Sequence, residues 1–313
     1  MSPETGTGEQ RPWVAIVVRV RFGVMIVPED RWQAGREKWR RVEQMGFDHA
    51  WTYDHLNWRT FRDREWFTAM PTLAAAAIET TRIGLGVLVA SPNLRHPVYL
   101  AKDVTTLDDM ASGRLILGIG AGAAGFDSTM TRRIPWPRRE RTDRFGEYLA
   151  LTDQLLTQPV TTFEGRYYMA NEVRTVPLCN QVPRVPFAVA ASGPRGMSLA
   201  ARYGQYWVTT GEPNAFESAP YEQAIPVVRR QVEALEAACA KQGRDPATIA
   251  RLLVAGPTVG HVLDSSAAFF DAANRFAEVG ITDLVVQWPR PDDPFRGDVG
   301  VLEDIAAELD RRG

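Results

Sequence analysis

Asp54 and His55 are the neighbouring pair in this 313-residue chain best suited to moving a proton. Imidazole gives or takes a proton near neutral pH, and an adjacent carboxylate can fix its tautomer. A histidine at such a position can equally do no more than begin a loop. Trp58 follows closely and offers a flat wall to a planar cofactor, or core packing. Of the other histidines, His49 reads as structural, His96 as a helix cap before Pro97, and His261 as a candidate without support. No two of them have metal-ligand spacing on a helix, and Cys179 and Cys239 make neither a thiolate site nor a disulfide framework. Gly-x-Ser-x-Gly is absent, which argues against a serine nucleophile on an elbow. Gly120-Ala121-Gly122 lets something flat approach the backbone, and Ala191-Ser192-Gly193 offers amides to an anion ahead of a helix. Both also read as plain turns. The glycines from Gly120 lack the acid that completes a dinucleotide fingerprint. Arginines at 132, 133, 138, 139, 141 and 144 either meet an anionic tail or form a solvated face.

The elements that must position these residues follow from periodicity. Apolar, β-rich runs at 22–27, 50–53, 82–89, 115–119, 186–190, 206–210, 252–259 and 284–287 read as strands. Helical stretches at 31–45, 66–79, 97–111, 142–156, 195–203, 221–242, 265–279 and 302–312 alternate with them. Eight right-handed βα units close most simply as an α/β fold of the (β/α)8 TIM-barrel type. A long loop is expected after the fourth strand, over 123–140, and a small β-hairpin over 160–168 about Glu164-Gly165. One domain over 21–313 and a flexible extension over 1–20 complete the expectation. In such a barrel chemistry belongs at the C-terminal strand ends, where Asp54-His55, Gly120-Ala121-Gly122 and Ala191-Ser192-Gly193 fall.

Composition narrows the partners. A net charge of −2 provides no global attraction for nucleic acid or anionic membrane. No apolar run approaches the roughly 18 residues of a membrane span, and the start lacks a signal-peptide pattern. A cytoplasmic protein acting on a small molecule is expected. Lys38, Lys102 and Lys241 are the only lysines among 36 basic residues, the mark of a GC-rich genome.

Several stretches together resemble the bacterial luciferase-like flavin-dependent oxidoreductases. They are Gly46-Phe47-Asp48 leading into WTYDHL (51–56), the run 81–122 ending LILGIGAG, RFGEYLALTDQLL (144–156), TFEGRYY (162–168) and VPFAVAASGPRGMSLAARYGQYW (185–207). The resemblance implies a barrel, a homodimer, and FMN or the deazaflavin F420 bound over the strand tops. It implies that His55, with Asp54 and Trp58, lies beside the reacting ring edge. It also implies a non-proline cis peptide near Leu88-Val89, behind the ring, and a phosphate-side turn at Ala191-Ser192-Gly193. The Asp-His pair, the arginines and the GC-rich bias favour F420 over FMN. The expected activity is hydride transfer between F420 and a medium-sized organic molecule, with His55 handling the proton. The alternatives are an FMN monooxygenase served by a reductase, and a non-catalytic flavin-binding protein. Two departures argue against a sugar-phosphate dehydrogenase. Trp58 lies one position closer to the histidine than in those enzymes, and no acid stands between the strand-four glycines and Asp127.

Overall fold

The computed structural model describes residues 20–123, 125–212, 219–256 and 258–312. The expected N-terminal extension lies, except for its last residue, outside the described residues. Arg21–Ile26 forms β1, Trp32–Gln44 α1, His49–Thr52 β2, Ala69–Glu79 α2, Gly84–Ala90 β3, Pro97–Met110 α3 and Leu115–Gly120 β4. Phe126–Met130 (α4) and Arg138–Thr157 (α5) follow, then the hairpin Val160–Glu164 (β5) and Met169–Arg174 (β6). Phe187–Ala190 (β7), Pro194–Tyr203 (α6), Tyr206–Thr209 (β8), Tyr221–Ala240 (α7), Ala250–Val254 (β9), Ser266–Glu278 (α8), Asp283–Gln287 (β10) and Val299–Arg312 (α9) finish the series.

All strands except β5 and β6 pair in parallel and close a barrel in the order β1-β10-β9-β8-β7-β4-β3-β2. This is the expected (β/α)8 architecture. The barrel strands are buried on both faces over most of their length, which is why they read as continuous apolar runs. The barrel interior holds Met25, Trp51, Leu88, Ile116, Val208, Leu252 and Val285, while a larger shell packs between strands and helices. Large interior groups need small neighbours. A Cβ on Gly23 would lie 1.9 Å from His49 Nδ1, and one on Gly86 would lie 2.2 Å from Trp51 Cζ3.

The barrel floor is polar but paired. Trp51 Nε1 donates to His49 Nδ1 at 2.7 Å, so His49 Nε2 carries the proton that faces Asp283 Oδ1 at 3.1 Å. Arg21 and Thr282 also donate to Asp283, at 3.0 and 2.6 Å. Burial pushes the Asp283 carboxyl up, but the bonds from His49, Thr282 and Arg21 outweigh it and hold it below its ordinary value. His49 is structural, as its position suggested, and His96 caps α3 by accepting from Val98 N.

Four boundaries differ from expectation for local reasons. The 66–79 helix starts only at Ala69, because Trp66 donates to His55 O and Phe67 N to Pro28 O. The long loop is shorter than 123–140, since α4 forms within it and α5 begins at Arg138. The hairpin runs to Arg174 rather than 168. Glu147 on α5 accepts from the amides of Arg166, Tyr167 and Tyr168 and so holds its turn open over 165–168. Strand β9 stops at Val254, and Gly256 and Val259 then exchange backbone bonds in a tight turn.

Candidate functional site

The C-terminal mouth of the barrel carries Tyr53, Asp54 and His55 directly after β2. Asp54 is buried, and Arg95 grips it with two bonds of 2.9 and 3.0 Å. Burial pulls the Arg95 guanidinium down, yet its bonds to Asp54 win and hold it above its ordinary value. The adjacent-pair expectation therefore needs correcting. Asp54 faces Arg95 rather than the imidazole, because consecutive residues leaving a strand project in opposite directions. The carboxylate against His55 Nδ1 is Asp127 Oδ2, from the start of α4. Its other oxygen accepts from Leu56 N at 2.9 Å and Asn57 N at 3.4 Å, so Asp127 ties the loop after β4 to the loop after β2. With Nδ1 engaged, Nε2 is the ring nitrogen left to exchange a proton.

Trp58 lies in an aromatic stack. Its ring is parallel to Tyr53 at 5.5 Å and to Phe295 at 5.9 Å, and it faces His55 at 6.3 Å. The Leu88-Val89 bond on β3 is cis, where the resemblance placed it. Leu88 sits in the barrel interior and Val89 at its partly buried rim.

A cleft of about 660 Å³ opens over β4, β7 and β8. Ala121, Gly122, Ala191, Ser192 and Gly193 line it, together with Arg138, Arg139, Arg141 and Arg195. No carboxylate is among its lining residues, and no side chain caps α6, whose first amides therefore remain available to an anion. This donor set fits a phosphorylated, acidic ligand tail. Gly120 is not among the residues that line this cleft. A Cβ there would lie 2.6 Å from Val89 Cγ2, and one on Gly122 would lie 2.4 Å from Asn93 Nδ2. Those glycines accommodate the protein's own side chains.

The arginine run divides by role. Arg132 and Arg144 both lie over the Trp136 ring, at 3.8 and 4.0 Å from its centre, and Arg144 also pairs with Glu140. Arg138, Arg139 and Arg141 turn to the cleft, where Arg141 also donates to Gly122 O at 3.1 Å. Arg195 stood outside that run, as did Arg95 and Phe295. Asp127 was visible only as an acid too late in the chain to match a family glutamate. Arg195, which pairs with Asp143, falls inside the 185–207 stretch already singled out, as Arg95 falls inside 81–122. Nothing local marks the partners, since each of the four meets one many residues away. Among the described residues no group of three or more His, Cys, Asp or Glu side chains is placed to hold a metal ion. No helix among them is long and apolar enough to cross a membrane.

A sequence profile of the luciferase-like monooxygenase family matches residues 14–287. The chain is 40% identical over 172 residues to the F420-dependent glucose-6-phosphate dehydrogenase of Beutenbergia cavernae, covering 54% of this chain and 50% of that protein. It is 32% identical over 214 residues to the F420-dependent hydroxymycolic acid dehydrogenase of Mycobacterium tuberculosis, covering 67% and 54% respectively. The chain thus spans about half the length of the curated relatives it matches. In backbone it is similar to an F420-dependent secondary alcohol dehydrogenase solved with an F420-acetone adduct. That TM-score is 0.76 over 93% of this chain and 98% of the other, at 20% identity, a likeness of fold.

Proposed function

Since the chain belongs to the luciferase-like monooxygenase family, we propose that it is an oxidoreductase passing a hydride between bound F420 and a medium-sized organic substrate. The observation that carries this reading is the cleft lined by four arginines, of which only Arg195 has an acidic partner, Asp143, among the described residues, at the same barrel mouth as the His55–Asp127 pair. The names of the curated relatives support F420 over FMN.

F420 supplies a two-electron hydride carrier and an acidic tail. Arg138, Arg139, Arg141 and Arg195 hold that tail, with the backbone of Ala191, Ser192 and Gly193 at its phosphate. Leu88-Val89 and Ala121-Gly122 shape the floor for the ring, and Trp58 walls its edge. His55 carries the proton: it accepts one from a substrate hydroxyl as the carbon loses its hydride, and donates one in the reverse direction. Asp127 orients the imidazole and stabilises its charged form. Asp54 acts at one remove, through Arg95 and the shape of the β2 loop. With this reading goes a cytoplasmic homodimer of the 21–313 barrel unit; in the substrate-reducing direction a separate reductase returns the oxidised cofactor to its reduced form.

Fluorescence titration with F420 and with FMN tests the cofactor. Saturable F420 binding, weakened at least about tenfold in an Arg139→Gln, Arg195→Gln double variant, is expected, because charge-assisted pairs carry the tail. Micromolar FMN binding without F420 binding would overturn the proposal. His55→Ala should keep F420 affinity and lose turnover by about 10²–10⁴-fold.

A further inference from the structure

A second cavity of about 510 Å³ lies across the barrel mouth from the arginine cleft, between the loops after β9 and β10. Its volume is that of a compartment for a small organic molecule. The walls are apolar and flat: Trp58, Val262, Leu263, Val286, Pro289 and Phe295 face it. Trp58 also stacks on Tyr53 and faces His55, so the cavity adjoins the proton-handling residues through one shared ring. At its base Gln287 is buried and committed at both ends, accepting from Tyr53 OH at 3.2 Å and donating to Ala255 O at 3.0 Å.

The charged lining residues are paired with one another. His261 meets Asp264 at 2.8 Å and Arg296 meets Asp293 at 3.6 Å, all four well exposed at the rim. Among the described residues, His261 and Arg296 in this lining therefore each have an acidic partner, whereas of the four arginines of the other cleft only Arg195 has one, Asp143.

Phe295 is held in place at a cost. Its φ of 71° lies in the left-handed region, which a bulky residue seldom adopts. Arg290 enforces the shape. It is almost fully buried, grips Glu29 with two bonds of 2.5 and 2.6 Å, and donates to Asp292 O and Pro294 O. Its own amide donates to Phe295 O at 2.9 Å. The loop after β10 is thus a braced frame that presents one aromatic face to Trp58, within 10° of parallel.

We propose that this cavity is the substrate compartment, and that it selects an uncharged, flat, apolar molecule and rejects phosphorylated sugars, with Phe295 as the specificity-determining residue. A phosphate here would give up water for cations that already have acidic partners and would face Asp264 and Asp293, whereas a planar ring gains dispersion and aromatic contact against the apolar lining, Phe295 included. The inference rests on the oxidoreductase reading for the word substrate, but the binding preference stands on the cavity alone.

The test is calorimetric titration of the full chain with 2-naphthol and with glucose 6-phosphate, alongside the F420 titration. Saturable naphthol binding and no saturable glucose 6-phosphate binding are expected. Phe295→Gly suits the left-handed backbone, and so removes the ring without threatening the fold; it should weaken naphthol at least tenfold and leave F420 affinity within about twofold. Phe295→Tyr should retain naphthol binding. Saturable glucose 6-phosphate binding, or naphthol binding indifferent to Phe295→Gly, overturns the proposal. Naphthol binding that follows the expected pattern in a protein that ignores F420 supports the compartment and sinks the cofactor reading instead.

Discussion

Asp127 and His55 meet across 72 positions of sequence, and that contact redistributes the roles within the Asp54-His55 pair. A carboxylate on Nδ1 fixes which nitrogen is left for chemistry and favours the imidazolium that forms during proton transfer. Asp54 instead neutralises Arg95 beneath the loop. The consequence is a split between two acids. Asp127→Asn keeps a hydrogen-bonding group but loses the charge, and should lower kcat by at least about tenfold with F420 affinity unchanged. Asp127→Glu should recover part of the loss. Equal loss of kcat and of F420 binding in Asp127→Asn would mean that Asp127 only holds the two loops together.

At the level of elements, the site depends on strands whose side chains leave no slack. Trp51 fills the barrel interior only because β3 carries Gly86 beside it, and His49 only because β1 carries Gly23. Gly86→Ala would place a methyl group 2.2 Å from Trp51 Cζ3 and should cost about 1–3 kcal/mol in urea unfolding. A change under about 0.5 kcal/mol, the scale of a surface substitution, would show that Trp51 can give way. The loops follow a different logic. The loop after β4 is anchored by Asp127 to the loop after β2, the one after β10 by Arg290 to Glu29, and the hairpin by Glu147. Each anchor is one charged side chain satisfying several backbone or carboxylate groups.

For the molecule as a whole, the two ends of the barrel divide stability from chemistry. The floor network around Asp283 contributes stability that depends on its negative charge. Because its folded-state pKa is depressed below 3.8, that contribution is present above 3.8 and is lost as pH falls through the lower, folded value. Asp283→Asn should therefore destabilise the protein at neutral pH by roughly 1–3 kcal/mol, leaving Arg21 and His49 short of an acceptor. The gap from wild type should narrow as pH falls below 3.8, read by denaturant unfolding at a series of pH values. A gap constant down to pH about 2.5 would refute the assignment. The opposite end carries two cavities of contrasting character, one lined with arginines and one apolar with its charges paired off. On the proposed reading, that contrast separates the place for an anionic cofactor from the place for an uncharged substrate.

Much of this was legible in the order of residues. Strand and helix periodicity is local, so all eight βα units and their sequence appear in the chain itself, with boundaries shifted where a side chain such as Glu147 or Trp66 reaches in from elsewhere. The position of the cis peptide at Leu88-Val89 and the turn at Ala191-Ser192-Gly193 were equally accessible, since each belongs to a contiguous motif. Only the tertiary structure decided which acid meets His55, which arginines line the cleft rather than pack on Trp136, and that Phe295 reaches Trp58. The physical reason is closure of the barrel. It brings β10 against β1 and the loops of distant strands into one mouth, and pairings made there depend on direction and distance that neighbouring residues in the chain do not encode.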